Sequence, residues 1–165
     1  MIAWEERAWE EQSLLNPCFC SNLLWHAATG YESDSEGLLS LEEAFLVLPM
    51  VLHEQTRQAL PKTTRTSLAV WLQSHPLLAS RIATRATFLV PYTKEALLFA
   101  GTRTLIDFTN TKIHANGRLK RRINRALKDS SDEVRTCAKR ALFVGRWFAA
   151  SGGPTTVLAM MGVKP

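Results

Sequence analysis

Cysteine is scarce in this chain, with three residues among 165. So small and odd a count excludes a disulfide framework as the means of holding the fold together. The longest apolar run, Ala44–Leu52, has nine residues and contains Pro49, whereas a membrane-spanning helix needs about 20. The chain begins with acidic residues where a secretory signal carries bases, and no apolar stretch follows them. We therefore expect a cytoplasmic protein with no membrane association.

The sequence also lacks the motifs of nucleotide hydrolysis and of zinc catalysis. There is no G-x-x-x-x-G-K-[ST] loop, and no Lys follows the glycine pair at 152–153. His53-Glu54 resembles the start of a zinc-protease helix, but Arg57 stands where the second His ligand is required. We therefore expect no catalytic residues, no metal site and no cofactor.

Length and composition predict one globular domain covering residues 1–165, since 46% of the residues are hydrophobic and 21% are charged. The charge is unevenly distributed. Residues 1–60 hold ten acids and two bases, whereas residues 61–165 hold five acids and eighteen bases. This asymmetry favours two unlike surfaces, one for a basic partner and one for phosphates or an acidic partner, although two solvated faces would explain it as well.

Caps and breakers predict a succession of helices. Asn16-Pro17 is typical of a helix start, and Gly30 is the expected end of that helix. Ser40 and Glu43 form a capping box ahead of a helix that reaches about Leu60, with a bend or a junction at Pro49. Later helices are expected near 65–74, from Pro76, from Pro91, behind a capping box of Ser130 and Glu133, and from Pro154.

A β-hairpin is predicted over residues 107–123, because Asn116-Gly117 is the strongest short turn signal in the chain. A three-residue loop would place Ile113 opposite Leu119. The sequence thus predicts a mainly α fold, a single compact helical domain with one basic β-hairpin. Helices followed by such a hairpin are the element order of a winged helix, which is a fold-level analogy.

Residues 112–128, on the predicted hairpin and its exit, carry the sharpest functional signal, because they contain seven cations and no Asp or Glu. This pattern is typical of phosphate neutralisation, and the lack of aromatic residues favours the backbone of a duplex over a single strand. An acidic protein partner or a solvated edge strand remains an alternative. The candidate nucleic-acid-binding residues are Lys112, Arg118, Lys120, Arg121, Arg122, Arg125 and Lys128.

Two tryptophans, Trp4 and Trp9, precede the first capped helix within an acidic segment. Residues 1–15 are therefore a candidate N-terminal arm that binds a partner, since exposed aromatics are common at interface centres. Packing of both indoles against the protein's own core is an equal alternative.

Five blocks stand out along the chain: Asn16-Pro17 with the helix after it, and residues 44–53, 90–99, 140–148 and 162–165. In this order and spacing they resemble the middle components of three-component ABC-ATPase (ABC-3C) conflict systems, including the small subunit of Lamassu-type antiphage defence. The resemblance implies a non-catalytic adaptor that binds an SMC-like coiled-coil ATPase and links it to an effector such as a nuclease. It supplies no site residues. The alternative function is a stand-alone winged-helix regulator that binds DNA as a homodimer.

Overall fold

The computed structural model describes residues 6–162. These residues form a mainly α fold with a small antiparallel sheet, which confirms the predicted fold class. No helix in this part of the chain is long and apolar enough to cross a membrane. The elements are α1 Trp9–Leu14, α2 Pro17–Asp34, β1 Leu39–Ser40, α3 Leu41–Val51, α4 Glu54–Ala59, α5 Leu68–Ser74, α6 Pro76–Thr102, β2 Ile106–Thr109, β3 Lys112–Ala115, a 3₁₀ turn Gly117–Leu119, α7 Lys120–Lys128, α8 Asp132–Ala149 and α9 Pro154–Met160.

The pairing of α2 with α8 is the most extensive helix contact of the fold. Two glycines permit it. A Cβ built on Gly145 would lie 1.8 Å from the Ala27 carbonyl oxygen, and one built on Gly30 would lie 2.0 Å from the Leu142 carbonyl oxygen. The two backbones are therefore in direct contact at this crossing. The sequence predicted that α2 would end at Gly30, but Gly30 lies inside the helix. A glycine is needed at this position because the backbone of α8 leaves no space for a side chain.

Three buried tryptophans join the helical core to the connecting segments. The indole N–H of Trp25 donates to the Asn116 carbonyl at 3.3 Å. Those of Trp71 and Trp147 donate to the carbonyls of Ala59 and Thr66 at 2.8 and 2.7 Å. A buried Trp needs such a partner for its N–H. These bonds therefore attach three segments to one continuous core: the end of α4, the segment before α5 and the segment after β3.

The local helix signals were partly right. Asn16 caps α2 by accepting the amides of Cys18 and Phe19, and the capping box of Ser40 and Glu43 is present at the start of α3. Pro91 does not begin a helix. It lies inside α6, where a Pro cannot bond the carbonyl four residues before it; Pro91 and the residue concerned, Thr87, are both exposed. The capping box at 130–133 is also wrong, since Ser131 caps α8 through the amide of Val134.

The sheet has the order β1-β3-β2, with Leu39 and Phe108 both paired to Ile113. A hairpin is present, but its predicted bounds of 107–123 were wrong. Its turn lies at Asn110-Thr111, where Asn110 has a φ of +55°, a conformation that Asn tolerates well. Asn116 instead caps the 3₁₀ turn through the amide of Arg118. The basic wing that the winged-helix analogy required is therefore not formed.

Candidate functional site

Helix α7 carries most of the predicted nucleic-acid-binding residues. It contains no Gly or Pro, and its Arg, Lys, Ala and Leu residues are strong helix formers. Leu119, Ile123 and Leu127 recur every four residues and pack against the core, Ile123 being buried. Packing of this apolar stripe turns the opposite side of the helix outward. The 119, 123, 127 spacing was the sequence signal for a helix here, and the Asn116-Gly117 pair obscured it.

All seven candidate cations are exposed. Lys112 lies on β3, Arg118 lies in the 3₁₀ turn, and the other five lie on α7. None of the seven forms an ion pair with a carboxylate whose side chain the structure describes. Steps of three and four residues place a row of cations along one face of the helix, about 15 Å long at 1.5 Å per residue. We call this row the α7 basic face; it consists of Arg118, Arg121, Arg122, Arg125 and Lys128.

The segment leading into α1 packs on the protein itself. Arg7 donates to Glu95 of α6 through two bonds of 2.8 and 3.2 Å, and its guanidinium lies over the Tyr92 ring at 5.8 Å from the centroid. Trp9 is 76% exposed. Trp4 lies outside the described residues. The candidate arm is therefore attached at Arg7, while the indole of Trp9 faces solvent.

An apolar groove of about 590 Å³ lies between the N-terminal helices and the α6–α8 region. We call it the central groove. Leu14 and Phe88, which are 62% and 63% exposed, lie at its mouth. Cys18 lines the central groove and is exposed, whereas Cys20 and Cys137 are buried. Its apolar lining consists of Leu14, Leu15, Phe19, Leu52, Phe88, Leu89, Ala126, Leu127 and Val134.

A cationic cluster of His53, Arg57, Arg81 and Arg85 lies beside this groove. Nδ1 of His53 accepts the Thr56 amide and lies 2.8 Å from the Thr56 hydroxyl oxygen, which accepts a bond of 2.9 Å from Arg85. Burial, together with the guanidiniums of Arg85, Arg81 and Arg57, holds the pKa of His53 below its ordinary value. His53 is therefore neutral near pH 7, and the positive charge of the cluster resides on its arginines.

Arg57 is the buried member of this cluster. Its guanidinium donates to the carbonyls of Val51 and Leu52 at the end of α3 and to the carboxylate of Glu133 on α8. The residue that stands where a zinc protease has its second His thus joins three helices. Among the described residues no group of three or more His, Cys, Asp or Glu side chains is placed to hold a metal ion.

Burial governs the remaining titratable groups of the core. It lowers the pKa of His26 to about 4 and raises that of Cys20 to about 12. Neither ring nitrogen of His26 has a hydrogen-bond partner. Burial also raises the pKa of Cys137. Cys20 and Cys137 therefore stay protonated near neutral pH, and His26 stays neutral.

Comparison with known proteins shows a match to a family model. The model is described as ABC-three component (ABC-3C) system Middle Component 3, and it matches residues 4–165. No curated protein and no solved structure was found to match the chain.

Proposed function

The chain belongs to the middle component 3 family of ABC-three component systems, and from this premise we propose that it is a non-catalytic adaptor in an antiphage defence complex of the Lamassu kind. It links an SMC-like coiled-coil ATPase to an effector such as a nuclease, and it contacts duplex DNA. The α7 basic face is the observation that carries the DNA contact. Trp9 is proposed as a contact to a partner protein because its indole is exposed ahead of α2.

The form of the α7 basic face supports contact with phosphates. Its cations are exposed, and none of them pairs with a carboxylate in the described part of the chain. Four of the five lie on α7, whose apolar side packs against the core. A rigid row of cations neutralises phosphates without the entropic cost of ordering a loop. No aromatic side chain lies between residues 112 and 128, so base stacking has no platform there. The expected binding is thus dependent on salt and weakly dependent on sequence.

The DNA contact is tested by replacing Arg118, Arg121, Arg122 and Arg125 together with Glu. Affinity for a duplex should fall by at least tenfold, and the slope of log K against log salt should become shallower by about 3.6, since each of the four neutralised phosphates adds about 0.9 to that slope. The control makes the same change in charge at four exposed cations elsewhere, Lys62, Arg65, Lys94 and Lys139. Equal losses in both variants would mean that net charge, rather than the α7 basic face, determines binding.

The adaptor role is tested by co-expression with the ATPase and the third component, followed by size-exclusion chromatography with mass measurement. We expect one peak that contains all three proteins. Trp9→Ala should weaken assembly, whereas Val70→Ala, at another exposed apolar side chain, should not. A protein that never co-elutes with the ATPase, but binds a palindromic duplex as a homodimer, would refute the adaptor role.

A further inference from the structure

We propose that the central groove binds an acidic segment with apolar side chains, contributed by another component of the same three-component system. This inference rests on the proposed adaptor function and specifies one surface for it. The groove is lined by side chains of α2, α6, α7 and α8, so its occupant would contact most of the fold at once.

The apolar character of the occupant follows from the lining of the groove. Side chains such as Phe19, Leu52 and Leu89 form its inner surface, and two large side chains, Leu14 and Phe88, remain more than half exposed at its mouth. Contiguous apolar surface rimmed by polar side chains is typical of a binding groove, whereas apolar side chains scattered singly over a surface are not. Apolar side chains of a partner would remove this surface from water, and burial of each one would contribute to binding.

The acidic character of the occupant follows from the arginines beside Phe88. Arg81, Arg85 and Phe88 are spaced four and three residues apart, so they share one face of α6. The guanidinium of Arg85 is half-buried, and its buried Nε has no hydrogen-bond partner. Among the side chains that the structure describes, which exclude those of residues 10 and 11, no carboxylate forms an ion pair with Arg81 or Arg85. Like charges one helical turn apart destabilise a helix, and a partly buried cation favours a counter-charge.

Two described carboxylates on the α8 side of the groove do not supply that counter-charge. Glu133 lines the groove, but its carboxylate accepts from Arg57. Asp132, its neighbour, pairs with Arg135. A carboxylate from outside would therefore find Arg81 and Arg85 available. A DNA backbone would supply negative charge too, but it has no apolar side chains to fill the groove, and this difference favours a protein.

Cys18 provides a direct readout of occupancy. It lines the groove and is the exposed cysteine of the three, and burial raises the pKa of both Cys20 and Cys137. Since the thiolate is the reactive form, Ellman's reagent should modify Cys18 rapidly in the native protein. In the purified complex with the ATPase and third component, we expect its rate of modification to fall at least tenfold.

Two variants test the two parts of the proposal. Replacing Arg81 and Arg85 with Glu should weaken association with the other components at least tenfold, and Phe88→Ala should do the same. Both changes fall on residues that are not fully buried, and circular dichroism with urea titration checks that each variant folds. The matched control replaces Lys94 and Lys139 with Glu, which changes the charge equally at exposed sites, and should alter affinity less than twofold.

The outcomes separate this inference from the adaptor function. If the wild-type chain does not co-elute with the other components, the adaptor function itself fails, and the docking proposal fails with it. If the complex forms while Cys18 keeps its full rate, the adaptor function stands and the groove is the wrong surface. Protection by duplex DNA alone, or by raising the concentration of this chain alone, would identify a different occupant and overturn the proposal. Loss of binding in Phe88→Ala but not in the arginine variant would refute the acidic partner.

Discussion

The contact between α2 and α8 allows one substitution to be predicted in detail, Gly145→Ala. The new Cβ would lie 1.8 Å from the Ala27 carbonyl oxygen, 2.7 Å from its carbon and 2.9 Å from the Tyr31 amide nitrogen. All three atoms belong to the backbone of α2, so no side-chain rotation relieves the overlap. Moving the first distance from 1.8 Å to at least 3.0 Å requires the helices to separate by about 1.2 Å or more at this crossing.

The cost of that separation can be worked out from the packing around it. A gap of 0.5–1 Å forfeits a quarter to a half of each van der Waals contact, and overpacked cores lose about 1–3 kcal/mol or more. Ala gains about 1 kcal/mol over Gly in a helix interior, but here the overlap involves the most extensive helix pair. Taking the upper end of the overpacking cost, about 3 kcal/mol, less the helix gain of about 1 kcal/mol, we expect Gly145→Ala to lower the free energy of unfolding by about 2 kcal/mol. Urea titration of tryptophan fluorescence measures this change.

Gly117→Ala is the matched control, because nothing lies within 4 Å of a Cβ built there and the position needs no positive φ. This variant should be neutral or slightly more stable than the wild type. Gly30→Ala should cost about as much as Gly145→Ala, but the double variant should cost less than the sum, since one separation of the helices relieves both overlaps. If the free energy of unfolding of Gly145→Ala lies within about 0.5 kcal/mol of that of the control, the close approach of the two backbones is not the reason for a glycine at position 145.

Two further predictions concern α2. Burial holds the pKa of His26 at about 4 in the folded state, against an ordinary value of 6.5, so the unfolded chain binds the proton more readily as the pH falls from 6.5 to 4. The wild type should therefore lose about 3 kcal/mol of stability across that window relative to His26→Phe, and parallel pH profiles in urea titrations would contradict this. Asn16→Ala should lower the free energy of unfolding by about 1 kcal/mol because the cap of α2 is removed, whereas Asn22→Ala, in mid-helix, should change it little; equal effects would show that the cap does not contribute.

Local signals predicted the elements whose partners lie within a few residues. The cap at Asn16 and the capping box at Ser40 are bonds between neighbours in sequence, and the structure confirms both. Gly30 misled the prediction for the same reason. Its ordinary local meaning is the end of a helix, but here the reason for the glycine lies on α8, more than 100 residues away. No local pattern could report that contact.

The sequence also predicted only part of the candidate functional site. The concentration of cations was visible in the sequence, but the predicted presentation on a hairpin was wrong, because Asn116-Gly117 matched a hairpin turn and obscured the helical stripe of Leu119, Ile123 and Leu127. The central groove had no sequence signal at all. Its lining comes from residues between 13 and 137, and only the folded chain brings them together.

The pairing of α2 with α8 also has a consequence for synthesis of the protein on the ribosome. Asp34 and Arg146, which form an ion pair between these helices, are separated by 112 residues. At about 5–20 residues per second, α2 emerges roughly 6–22 s before its partner helix has been made. Throughout that interval α3 and α6 can pack on α2, but the side of α2 that contacts α8 has no native partner. A nascent chain in this state is a substrate for chaperones, and its core cannot be completed before α8 has been synthesised.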